Sequence, residues 1–237
     1  MKTLSNPLLN FDTYIDMKTA MEKKAYPIVL NGCVDSQKAH FIPNLGEGFP
    51  CRLVLTYKED KAKELYQDLR FFDSNTVLYP SRDVLFYSAD VHSNHIERQR
   101  MDILKKLMAG EPLTIVACLD VLMEKMIPLE DFKEHCLMID FESIIDTDAL
   151  KLKFSELGYE NSGLVESPGQ FGIRGGIIDI FPLTEELPVR IELWGDEVDS
   201  LRSFDTETQR SVEKLEKVQI YPATEMILSR HKIGDAV

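Results

Sequence analysis

The chain has 237 residues, of which 44% are hydrophobic and 28% charged, and its formal net charge is -13. That is enough apolar material for one large core or two ordinary ones. An acidic balance of this size lacks the positive field that non-specific adhesion to nucleic acid or anionic membrane requires, although a local basic spot can persist. The four cysteines, Cys33, Cys51, Cys118 and Cys136, are scattered without a CxxC pair and read as buried free thiols rather than a zinc site. No run approaches the ~20 apolar residues of a membrane span, and the first residues lack a signal-peptide core. The expected compartment is the cytoplasm, with no membrane partner. Ser229 to Val237 shows no capping element, so the chain is expected to be a piece of something longer.

The first half alternates helix and strand. Phe11 to Lys24 has helical spacing, and Tyr26 to Leu30 reads as a short apolar strand ending in Asn31-Gly32. Arg52 to Thr56 is a second strand. Glu59 to Phe72 is an amphipathic helix with Ala62, Leu65, Tyr66, Leu69 and Phe72 at three- and four-residue steps. Thr76 to Tyr79 is a third strand, His92 to Ala109 a long helix stopped by Gly110, and Leu113 to Cys118 a fourth strand. Apolar strands alternating with helices predict a parallel sheet in a doubly wound α/β domain over residues 1–127.

The pattern changes near Pro128. Leu137 to Phe141 reads as a strand, and Asp146 to Leu157 as a helix capped by Asp146 or Thr147. Strands then follow over Phe171-Arg174, Ile177-Phe181, Val189-Trp194, Val198-Ser203 and Leu215-Tyr221. This predicts an α+β module over residues 128–221, with one helix beside a curled antiparallel sheet. Residues 222–237 are expected to begin a segment returning to the first domain.

After the first expected strand comes Gly32-Cys33-Val34-Asp35-Ser36-Gln37-Lys38-Ala39. Against the phosphate loop G-x-x-x-x-G-K-[ST], Gly32 and Lys38 are in register. Gln37 replaces the second glycine, and Ala39 replaces the hydroxyl residue that ligates magnesium. Asp35 adds a negative charge where anions should be attracted. Relic and coincidence are both open on this spacing; under either, ATP hydrolysis is not expected, and no nucleotide or metal cofactor is assigned. His92 and His95 read as capping residues, Glu97-Arg98-Gln99-Arg100 as a solvated charged helix face, and Ser81-Arg82-Asp83 as a loop at a strand's carboxyl end.

The third late strand carries the binding clue. Side chains alternate along a strand, so Val189, Ile191 and Leu193 face one way and Arg190, Glu192 and Trp194 the other. The only tryptophan therefore shares a polar face with an arginine. Upstream, Gly175-Gly176 is expected to supply the positive φ angles of a two-residue hairpin turn. Ordinary solvated sheet surface and a docking face both fit this spacing.

Eight stretches in order resemble one family. They are Tyr79-Pro80-Ser81-Arg82-Asp83; Phe86-Tyr87-Ser88-Ala89-Asp90; His92-Ser93-Asn94 with Glu97-Arg98-Gln99-Arg100; Gly169-Gln170-Phe171 with Arg174-Gly175-Gly176; Asp179-Ile180-Phe181-Pro182; Arg190-Ile191-Glu192; Gly195-Asp196-Glu197; and Phe204-Asp205 with Thr208-Gln209-Arg210-Ser211. Together they resemble the amino-terminal region of the bacterial transcription-repair coupling factors, which is similar to the excision-repair subunit UvrB. The likeness runs from about Asn10 to Tyr221. UvrB keeps a working phosphate loop and has an aromatic β-hairpin that threads DNA. Gln37 and Ala39, and the short run from Phe86 into the His92 helix, side with the coupling factors instead.

The resemblance implies a degenerate UvrB-like α/β domain followed by a domain that docks the repair protein UvrA. It places the contacts on Arg174, Arg190 and Trp194, with Gln170 and Phe171 in support. Trp194 stands where the family commonly has Phe. The resemblance further implies that RNA polymerase, DNA, ATP and magnesium are engaged by other domains of a longer protein, and that this fragment binds as a monomer rather than catalyses. An ATP-dependent DNA motor lobe retaining nucleotide through Lys38 is the alternative, and direct DNA binding a weaker one.

Overall fold

The computed structural model describes residues 6–82 and 91–225. Asp83, the Phe86-Asp90 stretch that bears on the aromatic hairpin, the His92 side chain and residues 226–237 lie outside what is described. The chain divides into two compact units, of which the described parts are 6–82 with 110–124, and 91–109 with 125–225. The fold is mixed helix and sheet, with parallel and antiparallel sheets.

In the first unit, helix α1 (Asp12–Glu22) follows a 3-10 turn (Asn6–Asn10). Leu8, Tyr14, Met17 and Phe41 form a small core there. The strand expected over Tyr26 to Leu30 does not form. Pro27 removes a ladder donor, and Tyr26, Val29 and Leu30 remain exposed, so no sheet face rewards extension. An unforeseen helix, α2 (Asp35–Leu45), starts inside the candidate phosphate loop. Strands β1 (Cys51–Thr56), β2 (Thr76–Leu78) and β3 (Leu113–Cys118) make a parallel sheet in the order β1-β3-β2, with α3 (Glu59–Phe72) between β1 and β2 in sequence. Ala39 of α2 and Ala62 and Leu69 of α3 pack on Val116. The opposite face of β1 leaves Cys51, Leu53 and Leu55 exposed. Asp73, just past α3, accepts from Arg52 Nη2 (3.0 Å) and Thr114 Oγ1 (2.7 Å), tying that helix end to two strands.

The second unit holds α4 (Val91–Met108), α5 (Leu129–Glu134) and α6 (Thr147–Glu156). Asp146 caps α6, accepting from the Asp148 and Ala149 amides at 2.9 and 3.0 Å. Its main sheet has six strands: β5 (Glu160–Asn161), β6 (Gln170–Arg174), β7 (Ile177–Ile180), β8 (Val189–Trp194), β9 (Glu197–Phe204) and β10 (Ser211–Lys214). The order is β10-β9-β8-β7-β6-β5, antiparallel except that β5 runs parallel to β6. β4 (Leu137–Asp140) and β11 (Lys217–Ile220) form a separate antiparallel ribbon. The core combines Phe154, Phe171, Ile178, Ile180 and Ile191 with Met101 and Leu104 of α4. That packing places α4 with this unit, although the sequence suggested residues 1–127 as one domain.

Arg100 corrects the reading of a solvated helix face. It is fully buried, and its guanidinium grips Glu225 at two points, Nε to Oε1 at 2.8 Å and Nη2 to Oε2 at 2.9 Å. Position 100 lies one helical turn from Ile96 and from Leu104, on the buried stripe of α4.

Removing one partner of a buried pair strands the other charge. Arg100→Ala should therefore destabilise the second unit by about 3–5 kcal/mol in urea unfolding followed by circular dichroism. The cysteines offer a second check. All four are unbridged; Cys118 is buried, Cys51 exposed, and burial pushes the Cys136 thiol up to about 11. A thiol reagent at mildly alkaline pH should label Cys51 well before Cys118 and Cys136, as read by peptide mapping.

Candidate docking face

The outer face of the six-stranded sheet is set by strand parity. Cross-strand partners share a face, so the pairings Gly172↔Asp179, Asp179↔Arg190 and Arg190↔Arg202 put four residues in one outward row. The pairings Arg174↔Ile177, Ile177↔Glu192 and Glu192↔Ser200 make the next row. Trp194↔Glu197 and the bridge Glu197↔Ile144 make a third. The expected alternation on β8 holds: Val189 and Ile191 are buried, whereas Trp194 is 81% exposed. Ile144, donated by the loop between β4 and α6 and pinned by Ile145 N–H to Asp196 O (2.8 Å), is an exposed neighbour in that row.

The hairpin turn between β6 and β7 uses its glycines differently from expectation. Only Gly175 adopts positive φ, at 58°. Gly176 is needed for space, because a Cβ there would sit 3.1 Å from the Leu193 carbonyl oxygen, and its own carbonyl accepts from Leu193 N–H.

The charged centre of the face is Asp179, 1% exposed. Its Oδ1 accepts from Arg190 Nε (2.6 Å), and its Oδ2 from Arg190 Nη2 (2.9 Å) and Arg174 Nη2 (2.9 Å). Arg190 is further held by Gln209 Oε1 (2.9 Å from Nη2) and lies over the Phe204 ring at 4.4 Å. Hydrogen bonding to Asp179 raises the Arg190 pKa above its ordinary value. Arg174 also donates Nη1 to the Gly163 carbonyl (3.1 Å), yet half of its side chain stays open to solvent. Beside this trio, Glu192 accepts from Ser200 Oγ and pairs with Arg202; these hold its carboxyl below the usual range.

The sequence-derived site residues therefore separate into outward and inward groups. Arg174 and Trp194 reach solvent. Arg190 lies on the same face, but two of its nitrogens are spent on Asp179 and Gln209. Gln170 Oε1 accepts from the Glu166 and Ser167 amides at 3.0 and 3.1 Å, bracing the loop before β6. Phe171 is fully buried on the other face, edge-on to Phe154 at 5.2 Å, where a partner cannot touch it. Asp179 and Gln209 are site residues that the sequence reading did not single out. The available signal was a lone carboxylate in the apolar strand Ile177-Ile178-Asp179-Ile180, flanked in sequence by Arg174 and Arg190.

The candidate phosphate loop lies in the first unit. Gly32 has φ 75°. Gln37 Oε1 accepts from the Val34 N–H (3.2 Å), and Lys38 Nζ donates to Asp35 Oδ1 at 2.8 Å, raising the lysine pKa and lowering that of the aspartate. Ala39 is buried against Ala62 and Val116. The adjoining cleft also carries Lys61, Glu64 and Asp68, so with Asp35 and Lys38 its lining is net negative rather than a cationic cradle.

Residues 137–226, which hold this candidate face, match the UvrB interaction domain family. The chain is 39% identical over 177 residues to the transcription-repair-coupling factor of Bacillus subtilis (strain 168), covering 74% of this chain and 15% of that protein. It is 34% identical over 184 residues to that of Staphylococcus aureus (strain USA300), covering 77% of this chain and 16% of the relative. The chain thus spans about a sixth of the length of the curated relatives it matches.

Two measurements test the geometry. Gly172→Ala would bring a Cβ within 2.6 Å of the Ser162 carbonyl oxygen. It should cost about 1–3 kcal/mol in denaturant unfolding, as overpacking does. Trp194 is the sole tryptophan, so the emission of the folded chain should be water-exposed in wavelength and fully accessible to acrylamide. A blue-shifted, shielded emission would contradict the exposed ring. The domain match covers residues 137–226, and the likeness to the transcription-repair-coupling factors covers 74–77% of this chain.

Proposed function

We propose that the chain recruits UvrA, and so links stalled RNA polymerase to nucleotide excision repair, as a binding rather than catalytic module. The observation that carries this reading is Trp194, 81% exposed on the same outward face as Arg174 and the Asp179–Arg190 pair. Large aromatic and arginine side chains are the usual anchors of protein interfaces. A solvated sheet surface has no use for a bare indole. Arg174, with donors left over beyond Gly163 and Asp179, suits a carboxylate on the partner.

The first unit fits a supporting role. We read it as a degenerate, doubly wound nucleotide-binding domain. The exposed Leu53 and Leu55 on β1 support a second covering layer. Lys38 is engaged by Asp35, and Ala39 brings no hydroxyl for magnesium, which speaks against the motor-lobe alternative. Polymerase, DNA and ATP then fall to domains of a longer, cytoplasmic protein, with this module acting as a monomer.

Calorimetric titration with UvrA tests the docking claim. Trp194→Ala should weaken binding by about 2 kcal/mol or more, the scale of an interface hot spot. Arg174→Ala should cost about 1.5–3 kcal/mol, the worth of a hydrogen bond to a charged group. Undiminished affinity in both variants defeats the proposal. Titration with magnesium–ATP should give no heat of binding; micromolar, magnesium-dependent binding would restore the motor-lobe reading.

A further inference from the structure

We infer that Asp179 is a positioning residue of the docking face: it acts through Arg174 and Arg190, fixing both guanidinium groups before a partner arrives. The inference rests on the docking role proposed above. Asp179 is too buried to meet a partner itself. Its position between two arginines from different strands is what matters.

Two surface loops converge on the same trio, which a simple charge-balancing pair does not require. On one side, the 162–165 loop comes close over the sheet because Gly172 has no Cβ, and its Gly163 carbonyl takes Arg174 Nη1. On the other, Asp205 Oδ1 accepts from Thr208 N–H (2.8 Å) and Oγ1–H (2.7 Å). This closes a turn in which Gln209 sits at φ 58° and donates Nε2–H to the Thr206 carbonyl (2.9 Å). The turn aims Gln209 Oε1 at Arg190 Nη2 (2.9 Å). Below, the Phe204 ring supports the Arg190 guanidinium. Each arginine is thus held at Asp179 and again at a loop.

An arginine loses rotamer freedom when it docks. Here that freedom is already spent in the unbound chain. Two guanidinium groups share one carboxylate, so one positive charge is left over, and it emerges on the half-exposed Arg174, on the same sheet face as Trp194. A buried ion pair is weak support for stability in its own right, so the geometry points to orientation as the use of this carboxylate.

The test titrates UvrA into the whole chain carrying Asp179→Asn, Arg190→Ala, both together, or Gln209→Ala, with folding checked by circular dichroism. Asp179→Asn should lower affinity roughly tenfold, about one charge-assisted contact. The double variant should lose less than the sum of the two single losses, because only the share exerted through Arg174 remains once Arg190 is gone. In nitrogen-15 spectra the Arg190 Nε–H resonance, sharp and slowly exchanging in the wild type, should broaden in Asp179→Asn while backbone amides stay in place. A merely structural role would not give that signature. If Asp179→Asn does not fold, Gln209→Ala, confined to a surface turn, should still show the broadened resonance and a smaller loss of affinity; wild-type behaviour of that variant overturns the inference. Additive losses in the double variant also overturn it. Wild-type affinity in folded Asp179→Asn, alongside weakened Trp194→Ala and Arg174→Ala, removes the positioning role and leaves the docking face. Wild-type affinity in all of them removes both.

Discussion

One buried carboxylate decides what the outer face of the second unit can be. Asp179 stands at 1% exposure on the middle of a sheet, where an unpaired charge would cost several kcal/mol to desolvate. Three arginine hydrogen bonds offset that cost. The consequence runs outward. Because Asp179 must be satisfied, Arg174 and Arg190 turn toward one another across β6, β7 and β8 rather than into solvent. Because both are drawn to one point, the loops that touch them, 162–165 and 205–210, are drawn there too. The face is thus braced around its charged centre, with Arg174 half exposed and Trp194 open to solvent.

The same constraint explains several residues whose conformations otherwise look unrelated. Gly172 is glycine because the 162–165 backbone lies against it. Gln209 accepts a left-handed conformation because its amide is used at both ends, by Arg190 and by Thr206. Glu192, which would otherwise compete for Arg190 along its own strand, is drawn across to Ser200 and Arg202. A strand that reads as alternating charges in sequence is thus a set of sideways pairings, each crossing to a neighbouring strand. Among the described residues nothing comparable engages the indole. It stands at the end of β8 in the row of Ile144, so a braced charged centre and an uncovered aromatic ring share one sheet face.

How much of this the sequence disclosed depended on whether the signal was periodic. Period-two alternation placed Val189, Ile191 and Leu193 inward and Arg190, Glu192 and Trp194 outward, and the structure keeps that parity. Helical spacing gave α3 residue for residue. Where no periodic contrast exists the reading failed. β10 exposes all four of its residues, and Tyr26 to Leu30 offers apolar side chains with no sheet to receive them. Arg100 and Asp179 failed for another reason. Each is a charge on a buried stripe or strand, and its tolerance depends on a partner distant in sequence: Glu225 for one, Arg190 for the other. Local patterning assigned Arg100 to water and passed over Asp179. The family resemblance supplied Arg174, Arg190 and Trp194, but it could not say that Arg190 is held inward.

The two units make opposite use of their charges, and the contrast bears on where binding resides. At the start of α2, where phosphate oxygens would sit in a working loop, the chain supplies its own acceptors. Gln37 takes the Val34 amide and Asp35 takes the Lys38 ammonium. Ala39, in place of a metal-ligating hydroxyl, is turned into the apolar layer with Ala62 and Leu69. Each departure from the loop consensus therefore has a structural destination, and together they close the helix terminus on itself. In the second unit the arithmetic runs the other way. Two guanidinium groups meet one carboxylate, and the surplus charge is carried to the surface on a side chain whose own position is fixed. A lysine already paired with a neighbouring carboxylate has less to offer a ligand. Donors in excess and held still are what an anionic partner would meet under the proposed docking role, and in this chain that surplus shares a sheet face with Trp194.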